Sequence, residues 1–420
     1  MKSRILSLIL VFILVFSMTA FADETAAAPA KTIAIIHTND VHSRVLEDSS
    51  GIGYAKVAAL ASDILSQSGT EPILVDAGDA LHGQTIATLE RGESIIKIMN
   101  TVGYDVMTPG NHDFNYGQDR LLELVGKAEF KIISANITKP DGAALLEGYT
   151  IIERNGAKIA FFGLSTPETS YKTNPKNVAG LTFADPVKAA ENMVSVLRDK
   201  ADVIVAVSHL GLDEASEITS RLVAEKVEGI DLIIDGHSHT VLNEPLKVND
   251  TLIVQTGEYL KNVGTVQIEL DENNKVTGIK AGLVTKEQSA GITAREDVVK
   301  AIDDYTEAQK SILSEVILKN EIEFDGERAN VRTGPTNLSC LITSAMVDAT
   351  GADLAITNGG GIRASIKAGE VTRGDIITVL PFGNYIVTKK MKGSDIKAAL
   401  EHGLSQYPNA NGAFPQVAHV

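Results

Sequence analysis

The segment Gly110–Gly117 reads GNHDFNYG and sets an amide, an imidazole and a carboxylate at three successive positions, Asn111, His112 and Asp113. Glycines at both ends and Pro109 before it mark a turn. A turn needs one Asn or Asp at most, so the octet invites a chemical reading, although alone it is equally well explained as a surface turn. Other clusters change that balance: Asp40-Val41-His42, Asp76-Ala77-Gly78-Asp79, Ser208-His209 and Gly236-His237-Ser238-His239. In an extended segment, residues i and i+2 point the same way, so His237 with His239, or Asp40 with His42, can face one centre. A lone histidine such as His209 is most often a hydrogen-bonded core residue. Five such clusters at five strand ends are improbable as coincidence.

Carboxylate, amide oxygen and neutral imidazole suit Zn, Mn, Fe or Co rather than Ca. The candidate ligands are Asp40, His42, Asp79, Asn111, His209, His237 and His239. They exceed what one tetrahedral ion takes, whereas two ions sharing a carboxylate would use them. Two divalent metals about 3.5–4 Å apart clamp a phosphoryl group and make hydroxide from bound water near neutral pH. That chemistry hydrolyses phosphate esters and anhydrides without a Ser or Cys nucleophile.

The elements that must position these residues alternate in type. Thr32–His37, Pro72–Ala77, Lys131–Ala135, Lys158–Leu164, Asp202–Ser208, Asp231–Asp235 and Thr251–Gln255 are apolar runs expected of strands buried on both faces. Tyr54–Gln67, Gln118–Lys127, Asp185–Lys200 and Glu214–Lys226 carry helical periodicity. Thr265–Leu270 and Val276–Gly278 read as a terminal hairpin. This is a layered α/β domain, whose strand ends form the edge where ligands bind. Ala294–Val316 reads as a polar-faced linker helix. A second unit starts near Ile317 and holds a Gly-rich stretch, Asn358–Arg363.

Lys2 and Arg4, the apolar run Ile5–Phe16 and Ala20-Phe21-Ala22 predict a secretory signal peptide over residues 1–22. A leader over 23–31 follows. The apolar run is shorter than the roughly 20 residues a spanning helix needs, so an exported chain, periplasmic or extracellular, without a membrane span is expected. The formal net charge is −16 and no basic cluster appears, which argues against a nucleic-acid polymer as partner. The single cysteine, Cys340, excludes an internal disulfide and falls in an apolar helical pattern that suggests a buried thiol.

The ordered set D-x-H, G-D, G-N-H-D, H and G-H-x-H resembles the signature of calcineurin-like metallophosphoesterases. Glu327–Arg332 (ERANVR), NGGGIRASI and Pro381–Asn384 (PFGN) resemble the substrate-binding domain of the secreted 5′-nucleotidase/UDP-sugar hydrolase family. The resemblance implies an α/β-sandwich phosphoesterase domain over 32–290, a linker helix over 291–316 and a partial α+β nucleotide-binding domain over 317–420. It implies that Asp40, His42 and His239 hold one metal, that Asn111, His209 and His237 hold the other, and that Asp79 bridges them. His112 would act on the phosphate and leaving oxygen, with Asn115 standing where many relatives carry the Asp that orients it. Arg328, Arg332 and Arg363 would grip anionic groups, Asn358 and Gly360 would approach the nucleoside, and Phe382 would stack on the base. The family's C-terminal domain normally continues past Val420, so an incomplete domain is expected, with one face of the base clamp missing. The implied activity is hydrolysis of nucleoside 5′-monophosphates, and of UDP-sugars as a further class. The alternatives are a 2′,3′-cyclic-nucleotide 2′-phosphodiesterase/3′-nucleotidase and a non-catalytic nucleotide-binding surface protein. Asp76, His37 and His82 read as structural.

Overall fold

The structure is a computed structural model that describes residues 31–382 and 384–419. The expected signal peptide, the expected leader up to residue 30 and Gly383 of the PFGN motif lie outside the described residues. The described chain divides into two compact units: one runs through His82 and resumes over Glu90–Tyr305, and the other comprises Gly83–Leu89 and the chain from Thr306 onward.

The first unit is built on two six-stranded mixed sheets. One has the order Val276–Thr285, Asn262–Leu270, Lys31–Thr38, Ile73–Asp76, Val106–Met107, Lys131–Ile132. The other has the order Leu246–Val248, Thr251–Val254, Leu232–Ile234, Val203–His209, Ala157–Ser165, Tyr149–Arg154. The central strands of each sheet are parallel and the hairpins at the margins antiparallel. Alternate side chains explain the layering. Ile33, Ile35, Ile73 and Val75 meet Ile159, Phe161, Val203, Val205 and Ile234 in a core shared by both sheets. The opposite set of the second sheet, Ala160, Phe162, Ile204 and Ile233, packs on Ala190, Val194 and Leu197 of the helix Pro186–Leu197 and on Val223 of the helix Ser220–Lys226. Continuous apolar strands are therefore buried on both faces, as the sequence suggests.

Boundaries follow local chemistry. The helix expected from Glu214 begins at Ser220 because the Thr219 side chain caps it, accepting from Leu222 N. The linker helix is Glu296–Leu313, and Val316 already belongs to the strand Val316–Asn320. The helix Glu93–Val102 and the edge strand Tyr149–Arg154 were not anticipated. In the second unit, Thr336 and Ser339 form a capping box that starts the helix Asn337–Thr350. Its buried face is Leu338, Ser339, Thr343 and Val347, which leaves Cys340 exposed and corrects the expectation of a buried thiol. No helix among the described residues is long and apolar enough to cross a membrane.

Candidate metal centre

The clusters collect at the carboxyl ends of strands from both sheets. Asp40 and His42 follow Lys31–Thr38, Asp79 follows Ile73–Asp76, and Asn111 and His112 follow Val106–Met107. His209 ends Val203–His209, and His237 and His239 follow Leu232–Ile234. The loops interlock through backbone bonds, with Asp40 N donating to Gly78 O at 2.9 Å and His42 N to Asp79 O at 2.8 Å. Approach here is too close for side chains. A Cβ at Gly78 would lie 2.6 Å from Gly110 N, and one at Gly110 would lie 2.6 Å from His209 Nε2.

Five of the candidate ligands, Asp40, His42, Asp79, His237 and His239, adopt left-handed backbone with φ between 48° and 76°. Non-glycine residues seldom do so, and such strain gathers at functional sites. The candidate atoms converge. His239 Nε2 lies 3.3 Å from Asp40 Oδ1 and 3.4 Å from His42 Nε2. Asp79 Oδ2 lies 3.3 Å from His209 Nε2 and 3.9 Å from His42 Nε2. One carboxylate oxygen thus faces histidines of two ligand groups. Its other oxygen, Oδ1, accepts from His112 N at 2.7 Å.

The donor set fits cations. Asn111 Oδ1 is buried with no hydrogen-bond partner, which normally carries a penalty, and Asp40 Oδ1 and His209 Nε2 are buried with only ion-pair contacts at 3.3 Å in place of a well-formed hydrogen bond. Three groups, Asp40/His42/His239, His42/Asp79/His112 and Asp40/Asp79/His209, have ligand atoms within 4.8 Å of one another. Electrostatics agree. Burial opposes charge on His209, yet Asp79 and Asp40 outweigh it and raise its imidazole to about 10. Burial likewise opposes charge on His239, and Asp40 and Glu258 raise it to about 9. The site attracts positive charge into its interior.

His237 stands apart from those groups. Its ring lies edge-on to His209 at 5.0 Å, but Nε2 meets Glu168 Oε2 at 2.7 Å and Lys172 Nζ at 3.1 Å. His112 lies with its ring 5.0 Å from that of His42. Asn115 Nδ2 is 2.9 Å from His112 Nδ1, and Asn115 Oδ1 accepts from Thr173 Oγ1 at 2.8 Å. His82, which reads from sequence as structural, stacks on His112 at 6.3 Å and 14°. Asp113 received no role in the sequence reading. It is 1 % exposed and accepts from Asp79 N, Leu81 N and Gly110 N at 2.8, 2.8 and 2.7 Å. It therefore fixes the two loops that carry Asp79 and Asn111. The proximity of Asp113 to Asn111 in sequence was the available signal. Glu168, Thr173 and Glu258 had none.

In the second unit the Arg363 guanidinium sits 5.6 Å from the Phe382 ring centroid, and Arg363 Nη1 donates to Gly360 O at 3.3 Å. Asn358 Nδ2 donates to Gly412 O at 3.0 Å, Gly360 N donates to the same carbonyl, and Asn411 N donates to Arg332 O at 3.1 Å. Arg332, Asn358 and Gly360 thus meet the Asn411–Gly412 segment. Arg328 opens the short helix Arg328–Val331, just before Arg332.

Comparison with known proteins matches this architecture. Residues 33–241 match the calcineurin-like phosphoesterase family and residues 314–420 match the 5′-nucleotidase C-terminal domain. The 5′-nucleotidase of Vibrio cholerae is 31% identical over 451 residues, covering 96% of this chain and 81% of that protein. The chain belongs to the 5′-nucleotidase family. The chain is also similar, at 32% identity over 447 residues, to the trifunctional nucleotide phosphoesterase protein YfkN of Bacillus subtilis; the match covers 95% of this chain but 30% of that protein. The crystal structure of the 5′-nucleotidase precursor from Thermus thermophilus has a TM-score of 0.80 at 32% identity, covering 92% of this chain and 81% of its own. As a 5′-nucleotidase family member, the chain is a phosphohydrolase of the metallophosphoesterase class, with the fold class read from its sequence.

Proposed function

We propose that this chain is an exported di-metal phosphohydrolase that converts nucleoside 5′-monophosphates to nucleoside and phosphate. The observation that supports it most directly is Asp79 Oδ2, which faces His209 on one side and His42 on the other. On this reading Asp40, His42 and His239 hold one divalent ion, Asn111, His209 and His237 hold the other, and Asp79 is shared. His237 would have to use Nδ1, since Glu168 holds Nε2. Two such cations, drawn from Zn, Mn, Co or Fe, would neutralise phosphoryl charge and activate water.

The chain's own residues do the rest. Thr173 donates to Asn115 Oδ1, which turns the Asn115 amide group toward His112 Nδ1. A His112 that accepts at Nδ1 carries its proton on Nε2, ready for a phosphoryl or leaving oxygen. Arg328, Arg332 and Arg363 are suited to anionic groups, Asn358 and Gly360 to the nucleoside, and Phe382 to base stacking. Separation of all products formed from AMP, 3′-AMP, 2′,3′-cyclic AMP and UDP-glucose, each with Mn, Zn and Co, tests the reading. AMP should be the best substrate, giving adenosine and phosphate. Preference for the cyclic or 3′-nucleotide would transfer the chain to the alternative reading, and no product from any would support a binding protein instead.

A further inference from the structure

The histidines of the centre differ in how their outward nitrogens are held. His209 Nδ1 donates to the Ala77 carbonyl at 2.6 Å. His239 instead turns Nδ1 onto the Glu258 carboxylate, while Nε2 points to Asp40 and His42. Glu258 is itself held, with Oε1 accepting from Lys261 Nζ at 3.0 Å and its side chain 14 % exposed.

Glu258 sits on an unusual turn. Gly257, Tyr259 and Leu260 have φ of 93°, 62° and 53°. At φ 93° Gly257 holds a backbone that side chains rarely adopt, and a Cβ there would approach Val241 Cγ2 at 2.7 Å. Tyr and Leu disfavour this backbone, and it persists only where surrounding contacts over-determine it. Those contacts lead to the centre. Tyr259 N donates to Asp40 O at 2.9 Å, Ile52 N donates to Leu260 O at 2.8 Å, and Asn39 Nδ2 donates to Gly257 O at 2.8 Å. The Tyr259 ring lies 5.6 Å from that of His42 and 6.1 Å from that of His239, with the Arg44 guanidinium 4.3 Å from its centroid. One turn thus touches Asp40 through backbone, His42 through a ring edge and His239 through Glu258.

We propose that Glu258 is a positioning residue for His239, and that through it the Gly257–Lys261 turn sets the metal affinity of the Asp40/His42/His239 half separately from the half containing His209. The proposal rests on the di-metal reading above. A carboxylate on the far ring nitrogen fixes the tautomer, aims Nε2 inward and makes the ring a stronger donor; such partners typically change metal affinity about 10–100-fold. The competing account is that Glu258 and Lys261 only brace the turn.

The test titrates the metal-free full chain with Mn²⁺ and Zn²⁺ by calorimetry, and counts bound ions by elemental analysis. Wild type, Glu258→Ala, Glu258→Gln and Lys261→Ala are compared, and thermal unfolding of each metal-free chain controls for stability. Glu258→Ala should weaken one of two sites about 10–100-fold and leave the other unchanged. Glu258→Gln keeps a neutral acceptor for Nδ1–H and should recover part of that loss; it also carries the test if the Ala variant does not fold. Lys261→Ala removes the brace on Glu258 Oε1 but leaves the His239 contact, so it should weaken the same site by less than Glu258→Ala does and leave the other unchanged. Two wild-type sites that are unchanged in both Glu258 variants would overturn the proposal. So would equal weakening of both sites alongside a lowered unfolding temperature, which would assign Glu258 to bracing. A wild-type chain that binds fewer than two ions would instead overturn the di-metal reading.

Discussion

Asp113→Asn offers a quantitative check on how the loops of the centre are held. The native carboxylate accepts from Asp79 N, Leu81 N and Gly110 N, and at 1 % exposure water cannot replace it. A buried N–H left without an acceptor costs about 1–3 kcal/mol. The amide keeps the shape but offers one oxygen, so its NH₂ must face at least one backbone N–H. Some of the loss is offset, because burial and the neighbouring Asp79 raise the Asp113 carboxyl to about 7 and make its ionised form costly. We expect a net loss of about 2–4 kcal/mol. The functional loss should be larger than this suggests, since both Asp79 and Asn111 ride on the affected loops. Urea unfolding of the metal-free chain gives the stability change, and calorimetric metal titration gives the effect on the site. If Asp113→Asn unfolds within about 0.5 kcal/mol of wild type and binds metal equally well, the loops are held by something else.

Two further outcomes are expected. Burial lowers the His37 imidazole from 6.5 in the unfolded chain to about 3 in the folded one. The stability tied to a neutral His37 is therefore fully present above pH 6.5 and is lost as pH falls toward 3, at about 1.4 kcal/mol per pH unit. Chemical unfolding of wild type and His37→Gln between pH 6 and 4 should show wild type falling more steeply, and parallel curves would contradict this. Arg363→Ala should raise KM for AMP while sparing p-nitrophenyl phosphate, because Arg363 lies against Phe382 in the second unit. Equal losses on both substrates would make Arg363 structural or catalytic instead.

The sequence disclosed much of this because the relevant signals are local. Apolar runs such as Thr32–His37 reach within a residue of the observed strand Lys31–Thr38. The candidate ligands were legible because each stands just after such a run. What escaped was whatever depends on contacts distant in sequence. Glu258 and His239 are 19 residues apart, and Glu168 and His237 are 69 apart, with nothing in between to connect them. The Thr173 hydroxyl reaches Asn115 across 58 residues in the same way. The exposure of Cys340 is another such feature, because apolar periodicity alone does not fix which stripe of the helix Asn337–Thr350 is buried. The helix Glu93–Val102 differs from these cases, since its amphipathic pattern and the closing Gly103 in left-handed backbone are local signals.

A di-metal centre here stands or falls with Asp79 as a carboxylate shared by two cations. The direct measurement is the number of metal ions bound per chain, by elemental analysis of wild type and Asp79→Asn after exposure to Mn²⁺ or Zn²⁺, with phosphate release from AMP followed on the same samples. Wild type should hold two ions and release phosphate. Asp79→Asn should hold one or none and release no phosphate, since an amide cannot neutralise both cations. Two ions and undiminished hydrolysis in Asp79→Asn would contradict the shared-carboxylate centre.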